Sequence, residues 1–287
     1  MLIEIIKAII YGLVEGITEW LPISSTGHMI LLDEFIKLNV SEEFWEMFLV
    51  VIQLGAILAV IVLFFNKLWP FGTKTNTDPV GKKGILALCK KDVWVMWFKI
   101  LVACIPGIIV VILGLDDRFE KYFYNGPSVA VALIVFGILF IIVENRNKKR
   151  TPVINTMAEM TYTVALSIGV FQLLAAIFPG TSRSGATIIG ALIIGVSRTV
   201  AAEFTFFLAI PVMLGDSLLK IMKFGLSFSK TELCVLITGM VVAFVVSLFV
   251  IRFLMGYIRK HDFKVFGYYR IVLGLVVLGY FVGRALL

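Results

Sequence analysis

Charge is scarce in this chain, and so are the residues that build most metal centres and disulfide frameworks. Charged side chains make up 16% of the 287 residues against 60% hydrophobic ones, a balance that excludes an ordinary soluble domain, whose apolar share is about 45–50%. The three cysteines, Cys89, Cys104 and Cys234, form no CxxC pair, so neither a disulfide nor a zinc site is expected. Only two histidines, His28 and His261, are available as bases or ligands. No P-loop, dinucleotide-binding glycine fingerprint or HExxH occurs. The net charge of +7 is no nucleic-acid signal, because Lys and Arg fall mainly between the apolar runs, as positive-inside sorting would place them. A plain signal-peptide core is missing too: Glu4, Lys7, Glu15 and Glu19 interrupt the first twenty residues, so the N-terminal segment is expected to be retained.

What the chain does have is long apolar sequence. Six runs, near 47–65, 94–115, 127–145, 203–222, 232–254 and 267–287, are each long enough to span a hydrocarbon core of about 30 Å as a helix. Two more, 2–38 and 161–196, are broken midway by a proline and hydroxyl cluster: Pro22-Ile23-Ser24-Ser25-Thr26-Gly27 and Pro179-Gly180-Thr181-Ser182-Arg183-Ser184-Gly185. Proline cannot continue a helix, so each broken run reads as two short helices meeting at a polar turn. A shift of 157 residues superposes Pro22 on Pro179, Ser24 and Ser25 on Thr181 and Ser182, and Glu46 on Glu203. Glu46 and Glu203 are expected at helix starts, where a carboxylate suits the dipole.

The order in each half is a broken run, then three spans. A broken run that enters and leaves on one side adds no crossing, so the halves would have opposite topology, an inverted repeat. The expected fold is an all-α polytopic membrane protein with six transmembrane helices and two re-entrant helix pairs. It forms one integral domain over 1–287, with repeat 1 at about 1–145 and repeat 2 at about 161–287. A rival reading counts 2–20 and 161–178 as full spans, making eight. Loop charge favours the re-entrant reading: loops 66–93, 146–160, 197–202 and 255–266 hold 14 Lys and Arg, against 5 in 33–46, 116–126 and 223–231. The positive side is cytoplasmic by this rule, which puts both termini outside.

An acidic side chain at bilayer depth costs about 2.5–3.5 kcal/mol on insertion scales and marks function by default. Glu15 and Glu19, four apart on one helix face, are candidate ligands for a hard cation or candidate acid and base groups. Gly12 and Gly16 on an adjoining face would let another backbone approach. Ser24, Ser25 and Thr26 follow in a turn that suits a helix N-cap and an anion such as phosphate. His28, three residues from Ser25, is read as base to a serine nucleophile or as a nucleophile itself. Arg183, flanked by Thr181, Ser182 and Ser184, needs an anion: a phosphate, or Glu15 or Glu19 as a structural ion pair. Arg198 is a second phosphate contact or a topology charge, Gln172 orients a ligand or bonds a neighbouring helix, and His261 is read as solvated. A carboxyl pair, a Ser/His pair and a Ser-Arg-Ser cradle together fit hydrolysis of a lipid phosphate.

Three stretches carry a family resemblance: Val14 through Met29 (VEGITEWLPISSTGHM), Val51 through Ala59 (VIQLGAILA) and Phe178 through Thr187 (FPGTSRSGAT), with Gly195 through Arg198 and Ala202 through Pro211 extending it. The chain resembles the undecaprenyl-diphosphate phosphatases, also called bacitracin-resistance proteins, over nearly its full length. The resemblance implies a bacterial plasma-membrane enzyme that removes the terminal phosphate of a polyprenyl diphosphate lipid, the molecule on which bacitracin acts, with its site opening to the outer face. It implies a divalent cation, Mg2+ or Ca2+. It assigns Glu15 and Glu19 to the acidic motif, Ser24, Ser25, Thr26 and His28 to a hydroxyl-histidine motif, and Ser182, Arg183, Ser184 and Thr187 to phosphate binding. The serine matching Ser25 is the family's favoured nucleophile; histidine or water stay open, as does monomer against homodimer. The type-2 phosphatidate phosphatases differ, since they need a histidine shortly after the arginine and Ser184–Gly190 contains none. A lipid-phosphate flippase or secondary transporter is the alternative function.

Overall fold

Backbone groups in a hydrocarbon setting must be satisfied within their own segment, which turns the long apolar runs into helices. The computed structural model describes residues 1–72, 78–81, 83–225 and 227–286; parts of loops 66–93 and 223–231 and the end of the last span lie outside them. In chain order the helices are α1 Leu2–Thr18, α2 Ser25–Phe35, α3 Glu42–Val51, α4 Gln53–Leu63, α5 Phe65–Leu68, α6 Ile85–Leu88 and α7 Lys91–Ile112. There follow α8 Leu115–Phe123, α9 Gly126–Asn147, α10 Tyr162–Ile177, α11 Arg183–Ile194, α12 Arg198–Phe224, α13 Lys230–Ile258 and α14 Lys264–Leu286. Among the described residues six helical stretches are long and apolar enough to cross a membrane: Glu42–Leu63, formed by α3 and α4 together, then α7, α9, α12, α13 and Lys264–Arg284 of α14. This is an all-α, multi-pass membrane protein, and the six match the six apolar runs.

Several spans start earlier than their apolar runs because a polar cap lies upstream. Ser41 accepts the Phe44 N–H at 3.2 Å, and Asn125 accepts that of Ser128 at 3.0 Å. Ser229 and Glu232 form a reciprocal capping box at α13. The early starts correct one expectation: Glu46 and Glu203 lie past the first turns of α3 and α12, where the helix dipole has faded. Each is compensated by a cation instead, Glu203 by Lys67 at 2.7 Å and Glu46 by Lys220 at 3.5 Å.

Both broken runs fold as two short helices, α1 with α2 and α10 with α11. The chain at the start of α1 is tied to the chain leaving α2, Lys7 Nζ donating to the Lys37 carbonyl at 2.6 Å and the Asn39 N–H to Glu4 at 2.8 Å. Likewise the Val153 N–H donates to the Gly195 carbonyl, and the Ser197 N–H to that of Ile154, both at 2.8 Å. Ser24 and Ser182 have φ of 73° and 68°, the only positive values outside glycine among the described residues. Each accepts the amide three residues on, Gly27 at 3.3 Å and Gly185 at 3.2 Å. The caps correct the internal register: Ser24 corresponds to Ser182 and Ser25 to Arg183, one residue off the pairing expected from the sequence. From its proline to its capping serine the second turn is longer by one residue, Gly180 at φ 93° supplying an extra left-handed step.

Close backbone approach assembles these pieces. α1 packs along α13 and α10 along α7. A β-carbon at Gly12 would lie 2.7 Å from the Gly239 carbonyl, one at Gly16 2.9 Å from that of Ala243, and one at Gly169 2.2 Å from that of Ala103. The expected role of Gly12 and Gly16 is thus met. The two turns rest on α9 inside its span, Gly180 against Val129, Gly27 against Leu133 and Gly185 against Phe140.

Gly169→Val should destabilise the protein by about 1–3 kcal/mol or more through overpacking, whereas Gly215→Ala, whose β-carbon would point into open space, should be neutral or stabilising. Thermal midpoints in detergent check this; equal midpoints for the two variants would refute the close-approach account.

Candidate active site at the two turns

A turn buried among helices leaves carbonyls without partners, each costing several kcal/mol in a lipid setting. Here one side chain serves both turns. Arg270 of α14 is fully buried, and it donates to the Pro22 carbonyl at 3.2 Å, the Gly180 carbonyl at 2.9 Å and the Thr181 carbonyl at 2.6 Å. Its guanidinium lies 5.8 Å from the Phe136 ring centroid, a cation–π contact. A second tie runs through hydroxyls: Ser182 Oγ is 3.1 Å from Ser184 Oγ, which donates to the Glu19 carbonyl at 3.3 Å. Sequence reasoning missed Arg270. Its signal was an arginine within the run 267–287, the same kind that singled out Arg183.

Joined in this way, the turns bring Glu19, Ser25 and Arg183 together. Glu19 ends α1, Ser25 opens α2 and Arg183 opens α11. One Glu19 oxygen accepts from Arg183 Nη2 at 2.5 Å and the other accepts the Ser25 hydroxyl at 2.8 Å. Arg183 Nη1 reaches the Ala209 carbonyl at 3.5 Å. Of the two partners expected for Arg183, the structure therefore shows the carboxylate Glu19. Glu15 lies one turn earlier, buried, with Oε1 lacking any partner; Glu19 and Arg183 are its charged neighbours. Two carboxyl groups thus face one guanidinium.

His28 is not where the sequence put it. Its Nδ1 lies 2.7 Å from the Ser24 carbonyl, which only accepts, so Nδ1 carries the proton. Its Nε2 is 2.7 Å from the Tyr269 hydroxyl, and the two rings stack at 5.6 Å and 9°. The expected Ser25–His28 pair does not form, because one helical turn carries the imidazole back to the Ser24 carbonyl while Ser25 turns to Glu19. Tyr269, like Arg270, was not singled out from sequence.

The expected phosphate binders divide. Thr26 lies half-buried in the first turn of α2 beside Ser25. Ser24 and Ser182 act as caps, and Ser184 is spent on Glu19. Thr187 does not join the site: its hydroxyl bonds the Arg183 carbonyl at 2.9 Å, the Ser184 carbonyl at 3.2 Å and Thr205 of α12 at 2.9 Å. An i−4 hydroxyl-to-carbonyl bond is the local alternative open to a threonine within a helix. Arg198 is held by Glu144 through bonds of 2.9 and 2.5 Å and is a structural cation. Gln172 is buried with Oε1 unpartnered, and exposed His261 stacks on Tyr257 at 4.5 Å. Among the described residues no three His, Cys, Asp or Glu side chains cluster to hold a metal. What converges at the turns is two helix N-termini with first-turn amides that no intrahelical carbonyl can accept, a guanidinium, and a hydroxyl whose proton rests on a carboxylate. That arrangement can hold a tetrahedral oxyanion and attack it.

The family model for the bacitracin resistance protein BacA matches residues 8–276. A protein of Desulfitobacterium hafniense named undecaprenyl-diphosphatase is 61% identical over 286 residues, covering 100% of this chain and 99% of its own length. The undecaprenyl-diphosphatase 1 of Clostridium acetobutylicum is 61% identical over 279 residues, 97% of this chain and 98% of that one. One from Enterococcus faecalis is 60% identical over 276 residues, 96% of both.

Arg270→Met would orphan three buried carbonyls, each worth about 1–3 kcal/mol, so a fall in thermal midpoint and faster proteolysis at the turns are expected, with Arg270→Lys recovering part of the loss. Wild-type behaviour of Arg270→Met would show that the turns are held together by other contacts.

Proposed function

The chain belongs to the bacitracin resistance protein BacA family, and we propose that the paired turns form its catalytic centre, with Ser25 as nucleophile. The enzyme hydrolyses undecaprenyl diphosphate to undecaprenyl phosphate and inorganic phosphate. This regenerates the lipid carrier for cell-wall synthesis and makes the cell resistant to bacitracin, which acts on the diphosphate. The observation that carries the catalytic reading is the 2.8 Å bond from the Ser25 hydroxyl to Glu19, a carboxylate already clamped by Arg183.

The chemistry follows from those contacts. Glu19 takes the Ser25 proton as Oγ attacks the terminal phosphorus, and the bond from that phosphorus to the bridging oxygen breaks. Undecaprenyl phosphate departs as a dianion that needs no proton from the protein. Arg183, Thr26 and the first-turn amides of α2 and α11 hold the non-bridging oxygens, whose charge is greatest in the transition state. Water then attacks the phosphoserine, giving up a proton to His28 Nε2, which is free to accept once the Tyr269 hydroxyl turns aside. Glu19 returns its proton to Ser25 as the Oγ–phosphorus bond breaks, phosphate leaves as the hydrogen phosphate dianion, and His28 passes the proton it took to bulk water. Ser24, Ser182 and Ser184 shape the turns, and Thr187 braces α11 against α12.

The unpartnered Oε1 of Glu15 fits a hard dication, since Mg2+ or Ca2+ takes oxygen ligands and is often held by one or two carboxylates plus substrate phosphate oxygens. Glu15, with Glu19 beside it, would hold the ion, which supplies Lewis-acid polarisation of the phosphate. In our reading α1–α2 and α10–α11 are re-entrant pairs in two inverted repeats. The bonds that tie the start of each pair to its end support this, as does the reciprocal packing of α1 on α13 and α10 on α7. The family locates the protein in the bacterial plasma membrane in our reading, and the positive charge of the loops on one side supports a site that opens to the outer face. The same layout would serve a flippase, but anion transport has no need of a serine proton held on a carboxylate.

Phosphate release from undecaprenyl diphosphate by the purified protein in detergent tests this. Ser25→Ala, Glu19→Gln and Arg183→Ala should each lose about 100-fold or more in kcat, and chelator should lower the wild-type rate. Glu19→Gln should lose more than His28→Gln; the reverse order would make His28 the base for Ser25. A folded wild type that binds the lipid but releases no phosphate would sink the hydrolase and favour transport.

A further inference from the structure

The wall behind the turns continues into an apolar groove of about 600 Å³ between α9, the end of α8 and the end of α10. Phe123, Val135, Phe136 and Phe178 give it its apolar lining, and Ser128 and Thr181 are its hydroxyl-bearing residues. Two of these touch the arginine that ties the turns together: the Thr181 carbonyl accepts from Arg270, and the Phe136 ring lies against the same guanidinium. Thr181 is fully buried, and its hydroxyl has no partner. A buried hydroxyl without a partner costs roughly 1–3 kcal/mol, so its position where an apolar groove meets the turn that leads into Arg183 points to a ligand that is apolar and carries an oxygen at its end.

We propose that the groove holds the isoprene units nearest the diphosphate, with the Thr181 hydroxyl donating to the ester oxygen that joins chain to phosphate. The proposal rests on the hydrolase reading above and specifies how that site takes hold of its substrate. Size sets how much of the tail is held. A dry cavity of about 150 Å³ accommodates benzene, so the groove has room for roughly four times as many carbons, or about four to five isoprene units. The remainder of an undecaprenyl chain would lie in lipid. An acyl chain of a bulk lipid could also fill the groove and accept from Thr181 through its ester oxygen, but only a polyprenyl diphosphate brings a diphosphate to the turn beside it.

The test is kcat/KM for phosphate release from isopentenyl, farnesyl, geranylgeranyl and undecaprenyl diphosphates. The wild type should gain steeply up to geranylgeranyl and little beyond. Val135→Trp, which fills the groove from a half-exposed position on α9, should lose about tenfold or more on the two longest substrates and less on isopentenyl diphosphate, flattening the profile. Val135→Ala should keep the wild-type profile. Thr181→Val should lower kcat/KM by a similar factor at every chain length, because it acts at the phosphate end. A Val135→Trp enzyme that is active with an unaltered profile would overturn the groove while leaving the hydrolase intact. A wild type inactive on all four substrates would overturn the hydrolase, and the groove's occupant with it.

Discussion

Irregular backbone enclosed by apolar helices is stable only if something donates to its carbonyls, and in this protein one guanidinium does so for both turns. Arg270 reaches Pro22 in one turn and Gly180 and Thr181 in the other, so neither turn is satisfied unless both are in place. A fully buried arginine is costly on its own. Three carbonyl oxygens and the Phe136 ring offset that cost without supplying an opposite charge, leaving the carboxylates of α1 free of it. Ser24 and Ser182 hold positive φ at about 1–3 kcal/mol of strain each. That strain persists because the caps, Arg270 and the packing on α9 over-determine the turn geometry, and it aims two helix N-termini at one place.

Glu19 is the point at which this framework becomes chemistry. It ends one short helix and accepts from the first residue of two others, Ser25 and Arg183. A carboxylate at a helix N-terminus is favoured by the dipole, and Glu19 faces two of them. On the mechanism proposed above, replacing Arg183 would remove a phosphate ligand and also free one side of the group that orients the nucleophile. His28 bonds the Ser24 carbonyl and Tyr269 rather than the Ser25 hydroxyl, and the first of these contacts fixes its tautomer. The groove beside Thr181 extends the logic, since the residue that lends Arg270 a carbonyl also lines the apolar wall.

Much of this was legible before any coordinates. Helices in an apolar setting follow from local composition and caps, so the six spans were readable to within a few residues, and Pro22 and Pro179 marked both breaks. Charge in the wrong solvent marked Glu15, Glu19 and Arg183. Where the reading failed, it failed on partners. Ser25 and His28 are three apart and looked like a pair, yet a helical turn separates their side chains and Glu19 lies closer to the hydroxyl. Thr187 belongs to the right motif and the wrong face of α11. The one-residue error in the internal register came from Gly180, whose left-handed step lengthens the stretch from proline to capping serine without altering the motif around it.

Short-range chemistry was enough to decide which segments are helical, where they break and which residues are too polar for their surroundings, because caps, prolines and solvation act within a turn or two of the chain. Pairing across distance was left to the packed molecule. Arg270 is 248 residues from Pro22, and Glu19 is 164 from Arg183. Such partners are chosen by which helices can approach closely enough, at the glycine seams of α1, α10 and α9, and that choice is a property of packed surfaces rather than of any local stretch.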